Sequence, residues 1–267
     1  MKTYHWTILL LLTIVLSCKT FDPINDDTDY QKKGSGKDYV SRDSAKAKEI
    51  NQFISKLESE SYSFESDFVL RLDNVGKSTE KFVADGKLQF SKETGLLKIQ
   101  LMDSYFGVVI SKIVSDEKKI RILSAGQSKV VELPFGDLPL TDPATKKVFS
   151  LPFPVIYHCI VQSFTKEFSN GKALVDPTQN QVLLKKTGEE YLYKFNEKGL
   201  ERIDLVSPNR SLKSYTIVKE YFDGFVYPAK KYQTKVESLE TGKEKILVLV
   251  TLKGVRKKTF SDSNFEL

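Results

Sequence analysis

Apolar residues along this chain cluster first, then recur with a helical period, then alternate. Residues 7–16 are almost wholly apolar, through Ile8, Leu9, Leu10, Leu11, Leu12, Ile14, Val15 and Leu16. Further on, Ala47, Ile50, Phe53, Ile54 and Leu57 fall on one helical stripe, with Lys46, Lys48, Glu49, Lys56 and Glu58 around it. This spacing predicts an amphipathic helix over 44–59 with Ser44 as its N-cap. From residue 64 the period becomes two. Phe64, Phe68, Leu70 and Leu72 alternate with Glu65, Asp67 and Arg71. Phe82, Ala84, Leu88 and Phe90 alternate with Lys81, Asp85, Lys87 and Gln89, and Leu97, Ile99 and Leu101 with Lys98 and Gln100. Further strands are predicted at 108–114 and 119–124, with a short one at 128–133, and turn signals such as Lys92-Glu93-Thr94-Gly95 separate them.

Five prolines between 134 and 154 interrupt the alternation. Two helices are predicted there, at 143–149 and 155–169. The second carries Ile156, Ile160, Phe164 and Phe168 on one face, with Asn170-Gly171 as its stop. Strands then resume at 181–186, 190–195, 200–206, 213–221, 228–237 and 244–253, with Pro228 opening the fifth, where no ladder donor is lost. The order is helix, five or six strands, helices, five or six strands. That fits one antiparallel meander, curled, with helices inside it or across its mouth.

Composition narrows the function. Lys and Arg exceed Asp and Glu by six, but the signs are interspersed and no block of five like charges occurs, so nucleic acid is not an expected partner. The 40% apolar and 11% aromatic content suffices for a core. His158 is the only histidine after His5, and the two cysteines are Cys18 and Cys159. One histidine and one cysteine supply neither a zinc site nor a His-based triad. On a helix, the adjacent His158 and Cys159 would point about 100° apart. No G-x-S-x-G, H-E-x-x-H or P-loop occurs. The expectation is no enzyme, no metal and no cofactor, with Cys159 a small buried apolar residue.

The N-terminus sets the compartment. Lys2 precedes an apolar stretch of ten residues, half of the roughly 20 needed to span a bilayer. It reads as a signal peptide over 1–17. Val15-Leu16-Ser17-Cys18 resembles a bacterial lipobox, although Leu16 is bulkier than the residue usual at its place. The resemblance implies a diacylglycerol thioether on Cys18, which becomes the mature N-terminus. Two or more acyl chains anchor stably where one binds marginally. Lys19 follows, not the aspartate that retains lipoproteins at the inner membrane in enteric bacteria, so an outer-membrane location on the periplasmic side is expected. Residues 18–43, rich in Asp, Lys and Gly, read as a flexible lipidated tether. Residues 44–267 read as a single domain.

The element order, together with one local stretch, resembles the LolA/LolB-like family of lipoprotein carriers and receptors. That stretch is 96–110, an alternating strand ending in Ser104-Tyr105-Phe106-Gly107, followed directly by Val108-Val109-Ile110. In LolB-type receptors a strand of this kind ends in a protruding loop of an apolar residue and glycine, which hands lipoprotein to the membrane. The family often has a proline and an aliphatic residue where this chain has Tyr and Phe. The resemblance implies an α+β fold, an incomplete antiparallel β-barrel with helices covering the opening. It implies a membrane-insertion loop at Tyr105, Phe106 and Gly107. It also implies an apolar cavity lined by Phe68, Leu70, Leu72, Phe82, Leu88, Phe90, Leu97, Ile99 and Leu101. The implied partners are a periplasmic LolA-like carrier and acylated lipoproteins, with the chain a monomer.

Such an activity has a physical need behind it. Burying an acyl chain of about 16 methylenes is worth on the order of 12 kcal/mol, so the chain does not cross water unescorted. Periodicity alone leaves alternatives open. The same nine residues would also fill a dry core, and Tyr105 and Phe106 would also serve as ordinary hairpin or core aromatics. A lipoprotein of this fold binding another hydrophobic ligand, and a structural surface lipoprotein, are the competing readings.

Overall fold

A computed structural model describes residues 38–75, 80–141, 148–169, 171–186, 188–207, 212–238 and 245–267. Residues 1–37, on which the expected signal peptide, Cys18 and most of the expected tether fall, lie outside the described residues.

The strands are β1 (Val40–Ser41), β2 (Phe64–Val75), β3 (Glu80–Phe90), β4 (Leu97–Asp103), β5 (Val109–Ser115), β6 (Lys119–Ser124), β7 (Val131–Pro134), β8 (Leu138–Thr141) and β9 (Val148–Leu151). They continue with β10 (Lys172–Asp176), β11 (Gln181–Lys186), β12 (Glu189–Asn196), β13 (Gly199–Ser207), β14 (Leu212–Tyr221), β15 (Ala229–Ser238) and β16 (Lys245–Lys257). The helices are α1 (Lys48–Glu60), α2 (Phe153–Val161) and α3 (Phe164–Ser169).

Fourteen strands form one antiparallel sheet in the order β1-β10-β11-β12-β13-β14-β15-β16-β2-β3-β4-β5-β6-β7, and β8 and β9 form a separate hairpin. Each half of the chain is thus a meander, and the halves join where β16 pairs β2, from Lys245 opposite Val75 to Lys257 opposite Phe64. β1 and β7 are the two edges, so the sheet is not closed. It nevertheless wraps around α2. On one side the His158 ring meets Tyr191 of β12 edge-on. On another, the Tyr157 hydroxyl donates to the Gly95 carbonyl between β3 and β4 at 2.7 Å. Phe135, just after β7, packs on both Tyr157 and His158. This is the fold class the sequence predicts, an open antiparallel sheet curled into an incomplete barrel with a few helices packed against it.

The alternating residues build the core. Phe64, Phe68, Leu70, Leu72, Phe82, Ala84, Leu88, Phe90, Leu97 and Leu101 are all buried, facing Val182, Leu184, Tyr191, Tyr193 and Phe195 from the other half. All nine residues of α2 are buried, so it is an interior helix with no solvent face.

Four local expectations are corrected. The helix over 155–169 is two helices, because Gln162 takes a left-handed conformation (φ 50°) and ends α2. Ile156, Ile160, Phe164 and Phe168 are buried all the same. The helix at 143–149 is not seen at its described end. Val148–Leu151 is β9, whose β-branched and aromatic residues pair with β8, while 143–147 lie outside the described residues. Ser44 does not cap α1. A 3-10 turn, Ala45–Ala47, intervenes, and the Ser44 hydroxyl is buried without a partner. Pro228 lies just before β15, not at its first position.

A turn and a groove at the open end

Consecutive antiparallel strands turn at alternate ends of the sheet. The β4–β5 and β6–β7 connections therefore share one end, and the β14–β15, β12–β13 and β10–β11 connections share the other.

The β4–β5 connection is short and heavily bonded. Asp103 N–H donates to the Val108 carbonyl at 2.8 Å and Gly107 N–H to the Asp103 carbonyl at 2.9 Å. The Asp103 carboxylate accepts the N–H groups of Tyr105 (2.9 Å) and Phe106 (2.8 Å). The Ser104 hydroxyl donates to the Val83 carbonyl on β3 at 2.9 Å. Gly107 has φ +65°, where a side chain would be strained. The Asp103 and Ser104 side chains are thus turned to the backbone, and the two aromatic side chains stand out in solvent. Tyr105 is 79% exposed, Phe106 84% and Val108 61%. Three adjoining large apolar side chains in water form a patch of the kind that marks a contact surface.

Phe106 and Val108 also border a groove of about 520 Å³. Its floor and walls are Phe82, Leu101, Val109, Ile110, Ile113, Ile122 and Pro139, and its polar lining is Asp103, Ser111, Ser124 and Gln127. That volume lies within the range of roughly 300–1,000 Å³ found for ligand sites. Deeper in, a second space of about 30 Å³ is bounded by Phe68, Leu70, Leu88, Ile99, Leu101, Ile113 and Val250 of the wall. The hairpin and α2 close it through Leu138, Leu151, Phe153, Ile156 and Ile160. A space of that size admits about one water. Among the described residues, α2 and the β8–β9 hairpin thus close off this inner space, and the groove at the mouth is the larger of the two. Leu101 and Ile113 line both spaces.

The nine expected lining residues separate accordingly. Phe68, Leu70, Leu88, Ile99 and Leu101 border the small inner space, and Phe82 and Leu101 border the mouth. Leu72, Phe90 and Leu97 are buried in the core and border neither. Most of the mouth was not singled out from sequence, because Val108-Val109-Ile110 is a continuous apolar run with no alternation to read.

A buried polar cluster sits on the inner helices. His158 Nε2 lies 3.5 Å from Glu167 Oε1, and Glu117 is close to both. Lys186 donates to Glu167, and Lys166 pairs with Glu117 at 3.1 Å. Burial holds the His158 pKa down to about 3, the Lys186 charge adds to this, and Glu117 opposes it. His158 is therefore neutral near pH 7. Burial also pushes the Cys159 thiol well above its ordinary range, so no thiolate nucleophile forms there. Each carboxylate of the cluster already holds an ammonium, so it reads as an ion-pair network tying α2 and α3 to β11.

No protein-family model matches the chain, and no curated protein matches its sequence. Among solved structures it is similar to a LolA superfamily protein from Nitrosomonas europaea, with a TM-score of 0.48 and 9% identity over 82% of this chain and 97% of that one. It is also similar to a DUF1329 family protein from Desulfovibrio piger, with a TM-score of 0.39 and 14% identity over 82% of this chain and 95% of that one.

Proposed function

We propose that this chain is a lipid-anchored acceptor for acyl chains, which it takes from a carrier and passes into the outer membrane as LolB-type receptors do. The observation that carries the reading is the continuity between the exposed Phe106 turn and the apolar mouth groove. One side chain borders the groove and stands in water at the same time. An acyl chain lying in the groove would leave it alongside Phe106, and Phe106 would enter the bilayer ahead of it. Cys18 supplies the anchor in this reading. No nucleophile or general base is required, because transfer breaks no covalent bond.

The test is transfer of a labelled acylated lipoprotein from a carrier to this protein, then to liposomes. Wild type is expected to accept and deliver. Phe106→Glu is expected to accept and fail to deliver. A wild type that accepts no lipoprotein rejects this function.

A second reading has its own support. Among the described residues the inner space holds only about 30 Å³, and the mouth groove of about 520 Å³ suits one chain or a single hydrophobic small molecule. Co-purified phospholipid or glycolipid, together with absent lipoprotein transfer, would favour it.

A further inference from the structure

The end of the sheet opposite the mouth carries its own exposed apolar point, in the β14–β15 connection. Phe225 is 54% exposed and Val226 37%. They are held out by a fixed turn. Phe225 N–H donates to the Phe222 carbonyl at 3.0 Å, and Gly224 has φ +74°. Phe222 packs against the core on one side. On the other side Tyr227 is buried, its hydroxyl donating to the Ile160 carbonyl at 2.7 Å and its ring meeting Tyr62 and Phe64 edge-on. Cationic groups stand beside this turn. Lys257 lies over the Tyr62 ring at 4.4 Å, and Lys230 pairs with Glu220.

The chain enters the fold at this same end. Val40 pairs with Val175, so the strand begins level with Asp176, and the Tyr39 hydroxyl donates to Gln181 at 3.2 Å. Asp176 and Gln181 flank the β10–β11 turn, which shares an end with the β14–β15 turn. The segment before residue 38 therefore leaves the fold at the Phe225 end. The Tyr105–Phe106 turn is then at the far end.

We propose that Phe225 and Val226 form a second lipid-contacting tip, on which the domain rests against the membrane that anchors it. The mouth and Phe106 then face away from that membrane, towards an arriving carrier. Delivery requires the domain to turn over. Residues 19–37 reach at most about 65 Å when extended, against about 43 Å for a strand of β16's length, so the tether permits the turn. An aromatic and an aliphatic residue suit the interface of a bilayer, where apolar tips enter; Lys257 is the cation beside them for an anionic headgroup, while Lys230 is already paired with Glu220. This proposal rests on the reading of Cys18 as the anchor.

Trp6 is the only tryptophan and falls in the segment read as the signal peptide, so the anchored protein carries no indole of its own and Trp6→Phe removes any contribution from uncleaved chain, which allows a direct test. In the full chain carrying Trp6→Phe, a single indole is introduced by Phe225→Trp or, separately, by Phe106→Trp. The protein, purified from bacterial membranes, is reconstituted into phosphatidylcholine vesicles with brominated acyl chains, with and without phosphatidylglycerol. The expected result is a blue-shifted indole at 225, quenched about twofold more than the indole at 106 before any acylated cargo is added. Protein that floats with the vesicles while the indole at 225 stays unquenched overturns the proposal and leaves the anchor standing. Protein that does not float overturns both. A blue shift at 225 that needs no vesicles and grows with protein concentration assigns the tip to a second copy, and also overturns it.

Discussion

The carboxylate of Asp103 accepts the amide hydrogen of Phe106 at 2.8 Å and that of Tyr105 at 2.9 Å. One side chain thereby fixes the two most exposed aromatics near the mouth. The bonds are charge-assisted and local, so they order the turn without burying it. Asp103→Ala is expected to lower stability by only about 1 kcal/mol. It should also raise amide exchange over 104–108 and slow delivery of acylated cargo. Acceptance should change less than delivery. Unchanged exchange in that segment would show that the turn is held by its backbone bonds alone.

Phe68 and Gly86 are directly opposite on β2 and β3. A Cβ on Gly86 would lie 2.4 and 2.5 Å from atoms of the Phe68 ring and 2.6 Å from the Gln100 carbonyl oxygen. Gly→Ala at an unstrained site commonly stabilises by up to about 1 kcal/mol through the unfolded chain. Here overpacking reverses the sign, and Gly86→Ala is expected to cost roughly 1–3 kcal/mol. Urea denaturation at constant m-value measures it. A stabilised variant would mean that the Phe68 ring moves aside freely.

The fold class was legible because the two periods are clean. The alternating residues of β2 to β4 stand one face in, and the apolar face of α1, Ile50, Ile54 and Leu57, is buried as read. The break at Gln162 was not legible, since a glutamine in the left-handed region carries no turn signature and the apolar positions Ile156, Ile160, Phe164 and Phe168 keep a helical spacing across it. Nor was β9, where four residues beside prolines fit either period. At the site, Tyr105 and Phe106 were singled out for their place before Gly107, and the structure puts them in solvent. A hollow barrel and a filled one share the same alternation. The placement of α2 among the described residues puts the larger groove at the mouth and leaves Leu72, Phe90 and Leu97 buried away from both described spaces.

Ala125 borders the groove at the β6–β7 turn and is itself exposed. Ala125→Trp should fill part of the mouth without disturbing the core. A fluorescent fatty-acid probe is expected to bind at least about tenfold more weakly, which is about 1.4 kcal/mol. The unfolding midpoint should stay near that of wild type, as surface substitutions usually do within about 0.5 kcal/mol. Equal probe affinity in the two proteins would place hydrophobic binding elsewhere.

His158 gives the chain an acid sensitivity with a defined window. Its ordinary pKa is near 6.5, and in the fold burial and the Lys186 charge hold it at about 3. Lys186 is bonded to Glu167, which offsets the carboxylate that would otherwise favour the imidazolium; Lys166 does the same for Glu117. Below pH 6.5 the unfolded chain takes up a proton that the folded chain refuses, so stability is complete above 6.5 and falls as pH drops towards 3. Carboxylates, including Glu237 with its pKa lowered to about 2, add to the loss only below about 4.5. Between pH 6.5 and 4.5, His158 is the only histidine after residue 5 available to titrate. The loss over that window is on the order of 2 kcal/mol. His158→Phe keeps a ring among Phe135, Tyr157 and Tyr191 and removes the proton site. Its stability is expected to be nearly flat over the same window in denaturant titrations, and a wild-type slope in the variant would assign the sensitivity to another group.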